Sequence, residues 1–333
     1  MDPGVPGSGV RKGLLGRTAD ISRRSFSQSV IAGTAAILAG RGKGFVTMKK
    51  SGLAVRLGGP VYAGGKDPGV WAEAHRKAGY GAAYCPVGPE ADDPEIAAYR
   101  KAALDAGIVI AEVGAWSNPV SRNDAIRKQA VDKCIKSLEL AERIGAACCV
   151  NISGSRGDQW DGPHADNLTE ETFDLIVETT RFIIDAVKPR NSYFALEPMP
   201  WAYPDSPDSY LRLLKAVDRK KFGAHLDPVN MINSPEKYFK NGDFLKECFR
   251  KLGPHIKACH AKDILLQPKL TTHLDEARPG LGGLDYTTYL TELGKLGGSV
   301  GLMIEHLESE EEYRLAADYI RGKGKEAGVQ FMY

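Results

Sequence analysis

Four short runs decide the fold of this sequence: Phe194-Ala195-Leu196-Glu197, Gly223-Ala224-His225-Leu226-Asp227, Ile256-Lys257-Ala258-Cys259-His260 and Gly301-Leu302-Met303-Ile304-Glu305. Each run is mostly apolar and ends in a residue that can bind a metal ion. Apolar runs of this length are typical of buried parallel strands. Groups at the carboxyl ends of the parallel strands of an α/β barrel meet at one mouth, where barrel enzymes keep their active sites.

Short apolar runs alternate with longer amphipathic segments from Leu53 onward. We predict strands at 53–57, 82–86, 108–113, 146–152, 193–197, 222–227, 256–260 and 300–305. Helices are predicted between and after them, at 68–77, 94–106, 123–144, 170–187, 209–218, 235–252, 286–296 and 309–327. Eight such alternations predict a single-domain (β/α)8 TIM barrel over residues 48–333, with a doubly wound sheet as the alternative.

Composition excludes some partners. The 333 residues carry a net charge of +2 with 26% charged residues, so there is no broad basic field that would attract nucleic acid. The six cysteines show no CxxC spacing and mostly lie in or beside apolar runs, which favours buried thiols over disulfides or a zinc site. We therefore expect a small-molecule partner and no nucleic acid, and a homo-oligomer is compatible with this composition.

The first 47 residues differ from the rest of the chain. They are rich in glycine, and Ser22-Arg23-Arg24-Ser25-Phe26 precedes the small-residue apolar run 30–39. This order is typical of a twin-arginine export signal in a disordered N-terminal region, which predicts a periplasmic or exported protein. The apolar run is too short for a lasting membrane anchor. The alternative is a true start at Met48 and a cytoplasmic protein.

The four strand-end groups suit a hard divalent cation. Three carboxylates and one imidazole, from Glu197, Asp227, Glu305 and His260, favour Mn²⁺, Mg²⁺ or Co²⁺ over an ion that prefers thiolates. We expect one ion, with Mn²⁺ as the first choice and Mg²⁺, Co²⁺ or Zn²⁺ as alternatives. Four strands that end in this way would otherwise bring carboxylates together without a counter-charge.

Five motifs in the second half of the chain resemble those of one family. They are Leu196-Glu197-Pro198-Met199-Pro200, His225-Leu226-Asp227-Pro228-Val229-Asn230, His260-Ala261-Lys262-Asp263, Pro279-Gly280-Leu281-Gly282-Gly283-Leu284-Asp285-Tyr286 and Ile304-Glu305. Together they resemble the sugar phosphate isomerase/epimerase family, the xylose isomerase-like TIM barrels related to ketose 3-epimerases and inosose dehydratases. The resemblance implies that Glu197 and Glu305 bind the metal and exchange protons with substrate carbons, whereas Asp227 and His260 are ligands only.

One position departs from the family pattern, and it leads the candidate substrate contacts. Ketose epimerases of the family commonly have His three residues after the ligand Asp, where this chain has Asn230. Asn can hydrogen-bond a hydroxyl but does not titrate near neutral pH. His225 also fits a satisfied interior histidine, and Lys262 also fits a salt bridge to a barrel carboxylate. The full set of candidate substrate contacts is Asn230, His225, Lys262, Trp201, Trp116 and Arg278.

These features predict a divalent-metal-dependent sugar isomerase or epimerase that transfers protons through a metal-stabilised enediolate. The first alternative is a metal-dependent lyase or hydratase that acts by β-elimination on 3-keto-glycosides or inososes. Two weaker alternatives are a non-catalytic sugar-binding barrel and a repair enzyme of the AP-endonuclease type. The latter would require more histidine ligands and a basic groove than this chain offers.

Overall fold

The strands follow the predicted apolar runs closely. A computed structural model describes residues 52–62 and 66–333 of the chain. In chain order the strands are β1 (Ala54–Gly58), β2 (Ala82–Tyr84), β3 (Val109–Gly114), β4 (Cys148–Asn151), β5 (Tyr193–Leu196), β6 (Phe222–Leu226), β7 (Ile256–Ala261), β8 (Asp263–Gln267), β9 (His273–Ala277), β10 (Gly301–Ile304) and β11 (Gln330–Phe331).

Eight of these strands close a parallel barrel. Each of β1 to β7 pairs in parallel with its neighbour in the chain, β10 pairs with β7, and β10 also pairs with β1. The closing pair aligns Arg56 with Gly301 and Gly58 with Met303. The predicted TIM barrel is confirmed, and β11 adds a short parallel pairing outside it, on β1.

Helices lie between the barrel strands. They are α1 (Pro68–Ala78), α2 (Asp93–Ala106), α3 (Asp124–Ile144), α4 (Glu170–Val187), α5 (Pro207–Val217), α6 (Pro228–Met231), α7 (Pro235–Phe239), α8 (Asn241–Leu252), α9 (Tyr286–Gly294) and α10 (Glu310–Glu326). Side-chain caps such as Asp67, Asp92 and Asn123 begin several of them. Gly107 ends α2 with φ 71°, a left-handed conformation that glycine adopts without steric cost.

Two details of the predicted fold are wrong. The single helix predicted at 235–252 is divided at Lys240 into α7 and α8. The side chain of Asn241 accounts for the break, because it bonds the carbonyls of Tyr238 and Gly283 and accepts the amide of Asp285. The second detail is an antiparallel hairpin, β8–β9, which follows β7 directly where a loop was expected.

The N-terminal predictions lie outside the described residues. These are the disordered region 1–47, the twin-arginine signal within it, and the alternative start at Met48. They stay predictions. Among the described residues, no helix is both long and apolar enough to cross a membrane.

Candidate metal centre

Four strands bring the predicted metal ligands together. Glu197 follows β5, Asp227 follows β6, His260 lies in β7 and Glu305 follows β10. Each offers one ligand atom, and these atoms all lie within 4.8 Å of one another. Asp227 also begins α6: its Oδ1 accepts the backbone amides of Val229 and Asn230, which fixes the direction of the carboxylate. The common edge of the parallel strands thus produces the cluster that the sequence predicts.

The imidazole of His260 turns its Nδ1 towards the three carboxylates. Nδ1 lies 2.7 Å from Glu305 Oε1, 3.2 Å from Glu197 Oε1 and 3.6 Å from Asp227 Oδ2. His260 and Asp227 are fully buried, and Glu197 is 5% exposed. A charged group in such a place needs a counter-charge, because water is excluded from it.

The electrostatics of the cluster favour a cation beside Nδ1. Burial alone would lower the pKa of His260, but the charges of Glu305, Glu197 and Glu112 outweigh it and raise that pKa well above its ordinary value. Burial would raise the pKa of Asp227, but Lys262 and His260 hold it well below the usual range. The pKa of Glu305 is likewise lowered against the effect of burial, chiefly by His260. Asp227 and Glu305 therefore stay ionised at neutral pH.

The donor set fits a divalent ion. Asp227 Oδ2 and Glu305 Oε1 are buried oxygens that accept no hydrogen bond of good geometry from the described residues, although Lys262 Nζ lies 2.9 and 2.8 Å from them. Their lone pairs are therefore not fully used and have capacity for an ion. Three carboxylates and one imidazole would hold Mn²⁺, Mg²⁺, Co²⁺ or Zn²⁺.

Lys262 and Asn230, two of the predicted substrate contacts, border this cluster. Lys262 Nζ lies 2.9 Å from Asp227 Oδ2 and 2.8 Å from Glu305 Oε1. Burial would lower its pKa, but the charges of Asp227, Glu197 and Glu305 raise it well above the ordinary value. The amide of Asn230 donates to Glu197 Oε1 at 2.9 Å, so it orients one of the two predicted acid/base carboxylates.

A buried carboxylate beneath His260 was missed in the sequence. Glu112 of β3 accepts from His260 Nε2 at 3.2 Å with one oxygen and from His225 Nε2 at 3.0 Å with the other. Burial would raise the pKa of Glu112, but the two histidines hold it well below its usual value. Because Nε2 donates to Glu112, Nδ1 of His260 is directed at the ligand cluster, as is common for metal-binding histidines. The available signal was a charged residue inside an apolar run.

The predicted contact His225 lies in this lower layer. It is fully buried, and its ring centroid is 4.1 Å from that of His260. His225 belongs to β6, two residues before Asp227, so it lies deeper in the barrel than the ligand. The structure places it among interior groups bonded to Glu112.

Residues outside the barrel hold β7 in place. The hydroxyl of Tyr289 donates to the carbonyl of His260, and that of Tyr286 donates to the carbonyl of Lys262, both at 2.8 Å. Asp263 accepts the amides of Gly280 and Leu284 and so fixes the glycine-rich loop. A Cβ on Gly282 would lie 2.4 Å from Asp263 Oδ1, which explains why that loop needs glycine there. The two family motifs thus support each other.

The remaining candidate contacts lie further out. Trp116 and Trp201 are 37% and 36% exposed in loops that follow β3 and β5. The indole of Trp201 donates to the carbonyl of Asp161 at 2.7 Å, which ties two mouth loops together. Arg278 pairs with Glu312 of α10 at 2.7 Å, so its charge is already matched by an outer helix. Substrate contact by these three residues stays a prediction.

The sequence matches one described family. A family model for the xylose isomerase-like TIM barrel matches residues 72–323, which include all four candidate ligands. No curated protein sequence matches the chain.

Several solved structures share the fold. A xylose isomerase-like TIM barrel protein from Mycobacterium smegmatis, in complex with magnesium, aligns with a TM-score of 0.58 at 18% identity over 82% of this chain and 97% of that chain. D-psicose 3-epimerase from Clostridium cellulolyticum H10, with D-tagatose, gives a TM-score of 0.60 at 15% identity over 83% and 100%. The probable 3-DHS dehydratase AsbF from Bacillus anthracis gives 0.56 at 15% over 75% and 91%. At these identities the likeness shows the fold.

Proposed function

The chain belongs to the xylose isomerase-like TIM barrel family, and on this basis we propose that it is a divalent-metal-dependent isomerase or epimerase of carbohydrates. The observation that carries the proposal is the pair of buried carboxylate oxygens, Asp227 Oδ2 and Glu305 Oε1, that accept no hydrogen bond of good geometry from the described residues. They face the same imidazole nitrogen as Glu197, within one cluster of ligand atoms. Mn²⁺ is our first choice of ion.

The residues of the cluster divide into two roles. Asp227 and His260 are fully buried and would hold the ion. When bound, the ion would polarise the carbonyl and neighbouring hydroxyl of a sugar and so make the adjacent C–H more acidic. Glu197 and Glu305 directly follow β5 and β10, the strands at the two ends of the four-strand segment β5-β6-β7-β10. Two carboxylates that approach from different sides can remove a proton and return it on the other face.

The proposal is tested by proton exchange. Mn²⁺-loaded protein in deuterated water is incubated with free ketoses, inososes and 3-keto-glycosides, and deuterium at substrate carbons is followed by NMR. We expect deuterium in a recovered isomer or epimer, with a rate that falls roughly 100- to 10,000-fold in Glu197→Gln and in Glu305→Gln. Glu178→Gln, on the exposed face of α4, is the matched control. Unchanged exchange in Glu305→Gln would contradict the assigned role.

The second candidate is a lyase that eliminates a group β to a ketone after the same proton is removed. Asn230 favours it, because the amide is bonded to Glu197 where family epimerases commonly have a titratable His. The fold shared with a dehydratase is compatible with it. In the same experiment a lyase would show deuterium uptake together with loss of water or an aglycone. Export by the twin-arginine signal stays a separate proposal.

A further inference from the structure

Lys262 shares the ligand oxygens with His260. Its ammonium lies 2.8 Å from Glu305 Oε1, 2.9 Å from Asp227 Oδ2 and 3.6 Å from Glu197 Oε1. These are the three oxygens that also face His260 Nδ1. Lys262 is only 2% exposed, so its charge belongs to the cluster and not to the solvent.

The lysine neutralises the carboxylates without satisfying them as acceptors. Asp227 Oδ2 and Glu305 Oε1 lack a hydrogen bond of good geometry although the ammonium is close to both. An ion bonded to the same oxygens would meet a second positive charge at very short range. Two such charges repel strongly in a site that excludes water.

Two further acceptors lie close to the same ammonium. Nζ is 3.5 Å from Glu276 Oε2 and 3.4 Å from Asn230 Oδ1. Glu276 lies on β9 of the hairpin, its side chain is 38% exposed, and it also contacts His306 Nδ1 at 3.0 Å. Tyr286 anchors the backbone of Lys262, so any change of partner has to come from the side chain, whose Nζ is already within 3.5 Å of both acceptors.

We propose that Lys262 is a built-in competitor of the divalent ion: its ammonium occupies the ligand oxygens in the metal-free protein and moves towards Glu276 and Asn230 when an ion binds. This inference rests on the proposed metal dependence. Lys262 is then a positioning residue that keeps metal binding exchangeable and places a positive charge at the rim of the loaded site. A purely structural role would instead be to hold the three carboxylates in place for the ion.

The affinity for Mn²⁺ distinguishes these roles. Isothermal titration calorimetry on the full chain at one pH compares wild type with Lys262→Met, with Lys128→Met on the exposed face of α3 as the matched control. We expect Lys262→Met to bind Mn²⁺ at least about tenfold more tightly, since the repulsion is removed. The control should stay within about twofold, since exposed charges are screened. Equal or weaker binding by folded Lys262→Met would overturn the inference.

Glu276→Gln tests the same idea with the lysine intact. Without its outer partner the ammonium stays with the ligand oxygens, so we expect Mn²⁺ affinity to fall severalfold, and unchanged affinity would overturn the inference. Failure of wild type and all variants to bind Mn²⁺ would overturn the proposed metal dependence as well. Binding by wild type with no response to Lys262→Met or Glu276→Gln would overturn only the role of Lys262.

Discussion

His260 has carboxylates on both sides, but the two sides balance their charge differently. On the Nε2 side, Glu112 accepts a hydrogen bond from His260 with one oxygen and from His225 with the other, so its charge has direct partners. On the Nδ1 side, Glu197, Asp227 and Glu305 share a single lysine, and two of their oxygens accept no hydrogen bond of good geometry. Both groups contain residue types that bind metals. On the Nε2 side the atom left without a partner is a ring nitrogen, His225 Nδ1, whereas on the Nδ1 side the unsatisfied atoms are carboxylate oxygens.

The comparison separates stability from binding. A completed buried network contributes to the fold and loses much when one member is removed. A cluster whose carboxylates still have unused acceptor capacity gains further stability from a cation that binds it. We therefore expect substitutions on the two sides of His260 to affect metal affinity and stability in different proportions.

The largest effect is expected on the Nδ1 side, from Asp227→Asn. The amide keeps an oxygen that can cap α6, but the negative charge is lost. We expect Mn²⁺ affinity to fall roughly 1,000-fold, about the share of one ligand in a four-ligand site. Stability of the metal-free protein should fall by a smaller free energy, because Lys262 loses one of its carboxylate partners but keeps the others. Calorimetry and thermal unfolding measure the two quantities. Asp174→Asn on exposed α4 is the control, and near-normal Mn²⁺ binding in Asp227→Asn would break the comparison.

The opposite balance is expected on the Nε2 side, from Glu112→Gln. The substitution leaves two buried imidazoles without their shared carboxylate and should lower the free energy of unfolding by about 3 kcal/mol. Mn²⁺ affinity should fall only about tenfold, because the effect reaches the ion through the orientation of His260.

Denaturant unfolding without metal, followed by titration with Mn²⁺, checks both values. Glu139→Gln on the exposed face of α3 is the control. If Glu112→Gln lost more free energy of Mn²⁺ binding than free energy of unfolding, the two sides of His260 would not differ as argued.

The difference between the two sides also explains what the sequence could predict. The four candidate ligands each end an apolar run, so a local pattern locates them, and the same pattern predicts all eight barrel strands. Glu112 lies within β3, and its role depends on His225 and His260, which are 113 and 148 residues further along the chain. No local pattern encodes such a contact.

Long-range contacts also explain the errors in the predicted fold. The break between α7 and α8 contains no proline and follows from the contact of Asn241 with the glycine-rich loop. The hairpin β8–β9 places Glu276 beside Lys262, and this contact depends on the register of the two strands. The fold class depends on periodicity, whereas these details depend on packing.

The smallest effect is expected at a carboxylate that is hydrogen-bonded like Glu112 but lies near the surface. Glu142 of α3 accepts the amides of Asn191 and Ser192, both at 2.9 Å, just before β5. Burial would raise its pKa, but these hydrogen bonds outweigh it and lower the pKa. A carboxylate whose pKa is lower in the folded state stabilises the fold above its unfolded pKa, and that contribution disappears as the pH falls through the folded pKa.

We therefore expect Glu142→Gln to lower the free energy of unfolding by about 1 kcal/mol or less near pH 7, because solvent screens this site. The difference from wild type should shrink as the pH falls below about 4.5, the ordinary range of a glutamate. Denaturant unfolding at several pH values measures it, and Glu139→Gln in the same helix should show no such trend. A difference that stayed constant to low pH would mean that the charge of Glu142 is not what matters. The larger loss expected for Glu112→Gln would then need a cause other than the charge of the buried carboxylate.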